Sequence, residues 1–195
     1  IAGHEPNTRK SSTLSAGTAA LAIGGDVDIL VCGKGADDVA KSAALVCGVS
    51  KVIHVDNEIY EHQLAESVAP LVSEIGKTYS GVLTPATTTG KNLLPRVAAL
   101  LDVSQISDIV NVKSNDVFQR PIYAGNAIAT VESSDSIKVI TVRATAFSEA
   151  EVGEIPAPIE NVSLVFAQEL SQFIGERLSQ SERPELTSAG IIISG

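Results

Sequence analysis

Methionine and tryptophan are absent from this 195-residue chain, and aromatic residues make up only 4% of it against 44% hydrophobic residues. A core without large rings has to be assembled from Val, Ile, Leu and Ala packed between layers, the composition of a sheet covered by helices. Cysteine is nearly absent too. Cys32 and Cys47 are too few to staple a chain of this size and read as buried free thiols of a reducing compartment. The histidines His4, His54 and His62 are scattered, with no Cys or carboxylate at ligand spacing, which argues against a zinc site. No apolar run approaches the ~18 residues of a membrane span, and no charged-then-apolar signal stands at the start, so the sequence predicts a soluble protein without direct membrane insertion. Basic residues number 14 against 23 acidic ones, and the net charge of −9 repels nucleic acid and anionic headgroups. With Ile at position 1 and no Met anywhere, the native start is expected to have been processed or trimmed.

What is present is an alternation of strand and helix signals. Residues 1–4 read as the stub of a strand, and a helix through Leu14, Thr18, Leu21 and Ala22 stops at Gly24-Gly25. A strand at 27–32 precedes a helix carrying Val39, Ala40, Ala43, Ala44 and Val46, and a third strand covers 51–55. Leu64, Val68, Leu71, Val72 and Ile75 form one helical stripe; Val82-Leu83-Thr84 then leads into a helix with Leu93, Leu94, Val97, Ala98 and Leu101. This order predicts an α/β fold of three layers, a mostly parallel sheet with helices on both faces, joined by right-handed crossovers. After Asp102 the runs 107–113, 117–123, 126–132 and 137–143 are strand-like and separated by turn residues, and they are expected to pair antiparallel, extending or flanking the sheet. Gly125 reads as a bulge or tight bend. Residues 148–158 have the composition of an exposed loop. Residues 164–178 are ambiguous, with Phe166, Leu170, Phe173, Ile174 and Leu178 at helical spacing, and Arg183-Pro184 stops any helix. Ile191 to Ile193 read as a new apolar strand.

The segment Thr87-Thr88-Thr89-Gly90-Lys91-Asn92 lies between a strand and a helix, where unpaired N–H groups and the macrodipole favour an anion. Thr88, Thr89, Gly90, Lys91 and Asn92 are the anion-site candidates, set against the simpler reading of a turn and cap. The loop is not a Walker loop, because Pro85 stands where its first glycine belongs and Asn92 where its Ser or Thr does. Pro95 leaves two alternatives: Asn92 caps a helix starting at Leu93, or the helix starts earlier and kinks. Arg96 is expected to make a structural ion pair with a carboxylate such as Asp102 or Asp108, or an interface contact. Gly33-Lys34-Gly35 opens like a dinucleotide fingerprint, but Asp38 replaces its third glycine. No G-x-S-x-G elbow and no Ser/His/Asp arrangement offers a catalytic constellation.

Taken with Pro121-Ile122-Tyr123-Ala124-Gly125-Asn126-Ala127 and Ser181-Glu182-Arg183-Pro184-Glu185-Leu186-Thr187-Ser188-Ala189, the 87–98 motif resembles the amino-terminal domain of the alpha subunit of electron-transfer flavoprotein. The resemblance runs over nearly the whole chain and implies a Rossmann-like fold related to the adenine-nucleotide alpha-hydrolases. It implies that residues 1–186 form the amino-terminal domain and that 187–195 open a FAD-binding domain, whose FAD contacts lie beyond Gly195. It further implies a beta subunit as partner, holding AMP, with no catalytic residue in this chain. The complex would carry electrons from acyl-CoA dehydrogenases of fatty acid beta-oxidation to a membrane quinone reductase, in the mitochondrial matrix of a eukaryote or the cytoplasm of a bacterium. The alternative is a stand-alone nucleotide-binding α/β module using the 87–92 loop.

Overall fold

The computed structural model describes residues 1–2, 4–5, 8–9, 11–176 and 191–193. Two short strands, β1 (His4–Glu5) and β2 (Thr8–Arg9), pair antiparallel ahead of helix α1 (Ser11–Ile23). The helix ends where Gly24 and Gly25 adopt positive φ of 96° and 83°, with the Gly24 N–H returning to the Ala20 carbonyl. Then follow β3 (Val27–Gly33), α2 (Asp37–Ala44), β4 (Val49–Asp56), α3 (Ala65–Gly76), β5 (Gly81–Pro85) and α4 (Thr88–Leu101). The second half supplies β6 (Gln105–Ile109), β7 (Asn111–Val112), β8 (Val117–Ile122), β9 (Ala127–Glu132), β10 (Lys138–Val142) and β11 (Ile159–Asn161).

Six of these strands form two parallel three-stranded sheets, in the orders β5-β10-β6 and β11-β4-β3, and β7-β8-β9 form an antiparallel sheet. The parallel strands are apolar on both faces because both are covered. Along β3 and β4, Leu30, Cys32, Ile53 and Val55 face α3 and α4, meeting Val68, Leu71, Val72, Leu93, Leu94 and Val97. Ile29, Val31 and Val52 point the other way, against Val39, Ala40 and Ala43 of α2. On that same side of β10 and β6, Ile140, Val142, Ile106 and Ile109 bury against Ala16 and Ala19 of α1 and against the wholly buried Phe118 of β8. The expected three-layer arrangement is therefore present.

Several expectations fail for stated reasons. The run 137–143 is not antiparallel: β10 inserts parallel between β5 and β6, with Lys138 opposite Gly81 and Ile140 opposite Ile106. The run 107–113 breaks at Val110, since β6 belongs to the parallel sheet and only β7 joins the antiparallel one. The break coincides with left-handed Asp108, φ 60°, whose N–H turns to the Thr141 hydroxyl. Gly125, φ 87°, does sit in the tight bend between β8 and β9. Cys47 is exposed, whereas Cys32 is buried and its thiol is pushed up to about 11 by desolvation. Ile191 to Ile193 form no strand and stand exposed, and Ser181 to Ala189 lie outside the described residues.

No helix forms over 164–176; the chain there is an irregular strap with a bend at Leu170, where Gln168 Oε1 accepts the Leu170 and Ser171 N–H groups. The strap begins where the Cys47 N–H donates to Glu151 and the Gly153 N–H to Leu45, continues as β11 along β4, and then crosses α3. Tyr60 is wholly buried; its hydroxyl donates to the Leu164 carbonyl and accepts the Phe166 N–H, both at 3.2 Å. Further along, Phe173 stacks on His62 with ring centroids 3.7 Å apart. Tyr60→Phe removes one hydroxyl and strands two strap backbone groups, so it is expected to cost about 1–3 kcal/mol. Hydrogen exchange at the Phe166 amide checks this: it should accelerate strongly in the variant, while amides in β3 slow or quicken only with global stability.

Candidate functional site

Parallel strands end together, and ligands of open α/β sheets sit beyond their carboxyl ends. Here β5, β10 and β6 finish at Pro85, Val142 and Ile109. Beyond them lies a cleft of about 370 Å³, lined among others by Thr87, Lys91, Asp108, Arg143 and Thr145.

The turn from β5 into α4 forms the cleft's first wall. The Ala86 N–H donates to the Val142 carbonyl at 2.7 Å, which fixes the turn to the neighbouring strand. Thr87 is the N-cap: extended at φ −75°, ψ 170°, it accepts the Gly90 N–H on its Oγ1 at 3.2 Å. The helix therefore starts before Asn92, and of the two alternatives left open by Pro95 the earlier start is correct. Pro95 lies inside the helix, where it supplies no N–H to the Lys91 carbonyl. The far end stops at left-handed Asp102, φ 56°, with the Val103 N–H closing onto Ala98.

Gly90 is required by contact. A Cβ there would lie 2.0 Å from the Pro85 carbonyl oxygen and 2.9 Å from Thr84 Cγ2. The helix consequently rests against the strand end as closely as backbone allows.

The second wall is Arg143, which follows β10 and donates its backbone N–H to the Ile109 carbonyl at 3.0 Å. Its guanidinium forks onto Asp108: Nε donates to Oδ1 at 3.2 Å and Nη2 to Oδ2. The hydrogen-bonded Asp108 carboxylate raises the already high pKa of Arg143. Lys91 is exposed and makes no ion pair among the described residues, which leaves the cleft with one uncompensated positive charge.

The candidate anion residues are not brought together. Only Lys91 of the five lines the cleft. Thr88 and Thr89 are exposed on the first helical turn, the Gly90 N–H is taken by Thr87, and Asn92 Oδ1 accepts from Arg96 Nε at 3.4 Å. Arg96 itself pairs with Glu66 of α3, at 2.8 Å, and not with Asp102 or Asp108. Glu66 also accepts the Ser171 hydroxyl, so this ion pair ties α4 and the strap to α3. Sequence reading missed Arg143 and Thr145 and offered Asp108 to Arg96 instead, because it expected the 137–143 run to pair antiparallel. The available signal was an arginine at the carboxyl end of an apolar strand.

Among the described residues no group of three His, Cys, Asp or Glu is placed to hold a metal, and no helix is long and apolar enough to cross a membrane. The electron transfer flavoprotein domain family matches residues 1–167. The chain belongs to that family. It is 56% identical over its whole length to the electron transfer flavoprotein subunit alpha of Pseudomonas aeruginosa, of which it covers 63%. It is likewise 49% identical to the alpha subunit of Bradyrhizobium diazoefficiens, covering 62%, and 44% identical to the mitochondrial one of Dictyostelium discoideum, covering 59%. The chain thus spans about three fifths of the length of these relatives.

The family implies a flavin in the complete protein, and the cleft does not fit FAD. Its lining has no aromatic side chain for an isoalloxazine, its arginine is engaged by Asp108, and the Gly90 N–H is taken by the Thr87 cap. Gly90→Ala tests how rigidly the cleft wall is set. Helix propensity alone would favour Ala by about 1 kcal/mol, but the collision is with backbone and cannot be relieved by rotating a side chain. The expected outcome is a net loss of about 2–3 kcal/mol, read as a fall of roughly 4–12 °C in Tm.

Proposed function

We propose that this chain is the scaffold portion of an electron-transfer flavoprotein alpha subunit, docking against a beta subunit and framing a flavin that it does not itself bind. One observation carries this reading: all 195 residues match proteins named electron transfer flavoprotein subunit alpha, at 56% identity in Pseudomonas aeruginosa. The surface supports it. Ile122, Tyr123 and Ile128 stand exposed on the β8–β9 hairpin, and Ile155, Leu170 and Ile174 on or beside the strap, more apolar surface than an isolated domain needs. Within this reading residues 1–186 are the amino-terminal domain and 187–195 lead into a FAD-binding domain. The beta subunit holds AMP. The assembled protein is an electron carrier: FAD supplies the redox chemistry, taking electrons from acyl-CoA and related dehydrogenases and yielding them to a membrane quinone reductase. This chain's own residues hold partners in place, and none acts as a catalyst.

The test uses visible absorbance and thermal melting. The chain incubated with FAD and passed through gel filtration is expected to emerge colourless, and to show no Tm shift with millimolar AMP or ATP. Lengthening it by a FAD domain and co-expressing the beta subunit is expected to give one yellow FAD per heterodimer. Stoichiometric FAD on the chain alone would overturn the scaffold role. Stabilisation by AMP of roughly 2.7 kcal/mol at a hundredfold excess over Kd would favour the stand-alone nucleotide-binding module instead.

A further inference from the structure

The strap is held in two different ways along its length. Its inner half is locked into the core: Leu164 and Phe166 pack against the α3–α4 side of the sheet, and the wholly buried Tyr60 hydroxyl binds the Leu164 carbonyl and the Phe166 N–H. Beyond Phe166 the chain turns on itself. Gln168 Oε1 accepts the Leu170 and Ser171 N–H groups at 2.6 and 3.0 Å, and Gln168 Nε2 donates to the Ser171 carbonyl at 2.9 Å, so this bend is closed by its own side chain. Leu170 and Ile174 stand exposed.

Among the described residues, two side chains of the outer half reach the body by a hydrogen bond or ring contact. The Ser171 hydroxyl donates to Glu66 Oε2 at 3.1 Å, and the Phe173 ring stacks on His62 with centroids 3.7 Å apart and planes 14° from parallel. Glu66 is itself fixed by Arg96 of α4. The anchors of the two halves, Tyr60 and His62, lie two residues apart, at most about 7 Å between Cα atoms, whereas the seven steps from Phe166 to Phe173 would span roughly 23–25 Å if drawn straight. The bend at Leu170 gathers that length between them.

We propose that residues 167–176 are a clasp that opens as one unit while Leu164 and Phe166 stay docked, and that opening releases stored chain toward the residues that follow. A segment with exposed apolar side chains and backbone bonds closed on itself opens at far lower cost than the core. The inner half differs, because letting go of Tyr60 leaves buried polar groups unpaired. Resting on the reading of this chain as a scaffold ahead of a FAD-binding domain, the clasp sets how far that domain reaches. Glu66 and His62 hold it, and Arg96 keeps Glu66 in position.

The test is made on the chain itself, without flavin or partner, so failure of the clasp leaves the scaffold reading standing, and failure of subunit docking leaves the clasp standing. Two readouts are compared: the upfield ring-current shift of the His62 ring protons under Phe173, and the distance between spin labels at Leu100→Cys on α4 and Glu176→Cys in a Cys47→Ser background. Phe173→Leu is expected to raise the open population roughly 2–12-fold, the worth of one aromatic pair. Ser171→Ala touches neither ring, yet it should reduce the His62 shift, because the clasp opens as a unit. Together the two substitutions should add a label population longer by ~10 Å or more, with Tm and exchange of the Phe166 amide unchanged. An unchanged His62 shift in Ser171→Ala would overturn the proposal, since the two contacts would then act separately. So would a double variant whose label distance stays as it was, or one in which the Phe166 amide opens together with the outer half.

Discussion

A parallel strand buried between helices has to satisfy its N–H and C=O groups on both edges, and almost every unusual feature of this chain answers that requirement. The first half lays down β3, β4 and β5, but parallel neighbours need crossovers and the edges are left open. The second half closes them from a distance: β10 enters between β5 and β6, and β11 adds to β4 more than a hundred positions away in sequence, Glu160 opposite Ile53. Ile1 and Ala2 span the remaining gap. Beyond β11 the strap binds Tyr60, which lies ahead of α3, and Glu66 of α3 itself.

Legibility in the sequence followed the range of the interaction. Helices α1 to α4 and strands β3, β4 and β5 were readable because their signals are local: the stripe of Val68, Leu71 and Val72, or the stop at Gly24-Gly25. The placement of β10 was not, since an apolar run such as Val139-Ile140-Thr141-Val142 suits an antiparallel ribbon as well as a central parallel strand, and only its partners decide. Residues 164–176 read as ambiguous for a related reason. Their helical spacing is real, yet the Tyr60 hydroxyl binds the Leu164 carbonyl and the Phe166 N–H, and no helix forms. Tertiary contacts also redirected single side chains: Arg96 was expected near Asp102 or Asp108, but Asp102 is the left-handed cap of α4 and Asp108 is taken by Arg143.

The same long-range placement determined how much of the site was visible. The turn from Thr87 to Lys91 could be located from sequence as a strand-to-helix passage, but its partners across the cleft, Asp108 and Arg143, arrive on β6 and beyond β10. Gly90 shows why the motif is kept tight: its role is the close approach of α4 to Pro85, a packing constraint that a phosphate-binding reading also fits. With the Gly90 N–H held by Thr87 and the arginine held by Asp108, the cleft reads as a braced corner of the fold. The exposed apolar side chains lie elsewhere, on the hairpin and the strap.

The central claim is that this chain works as a docking scaffold, and sedimentation velocity with a purified electron-transfer flavoprotein beta subunit tests it most directly. The account predicts that an equimolar mixture sediments as a 1:1 complex, and that charged residues placed at Tyr123 and Ile128 on the hairpin weaken it without lowering the Tm of the chain. Two species sedimenting independently at tens of micromolar, with the chain fully folded, would contradict it.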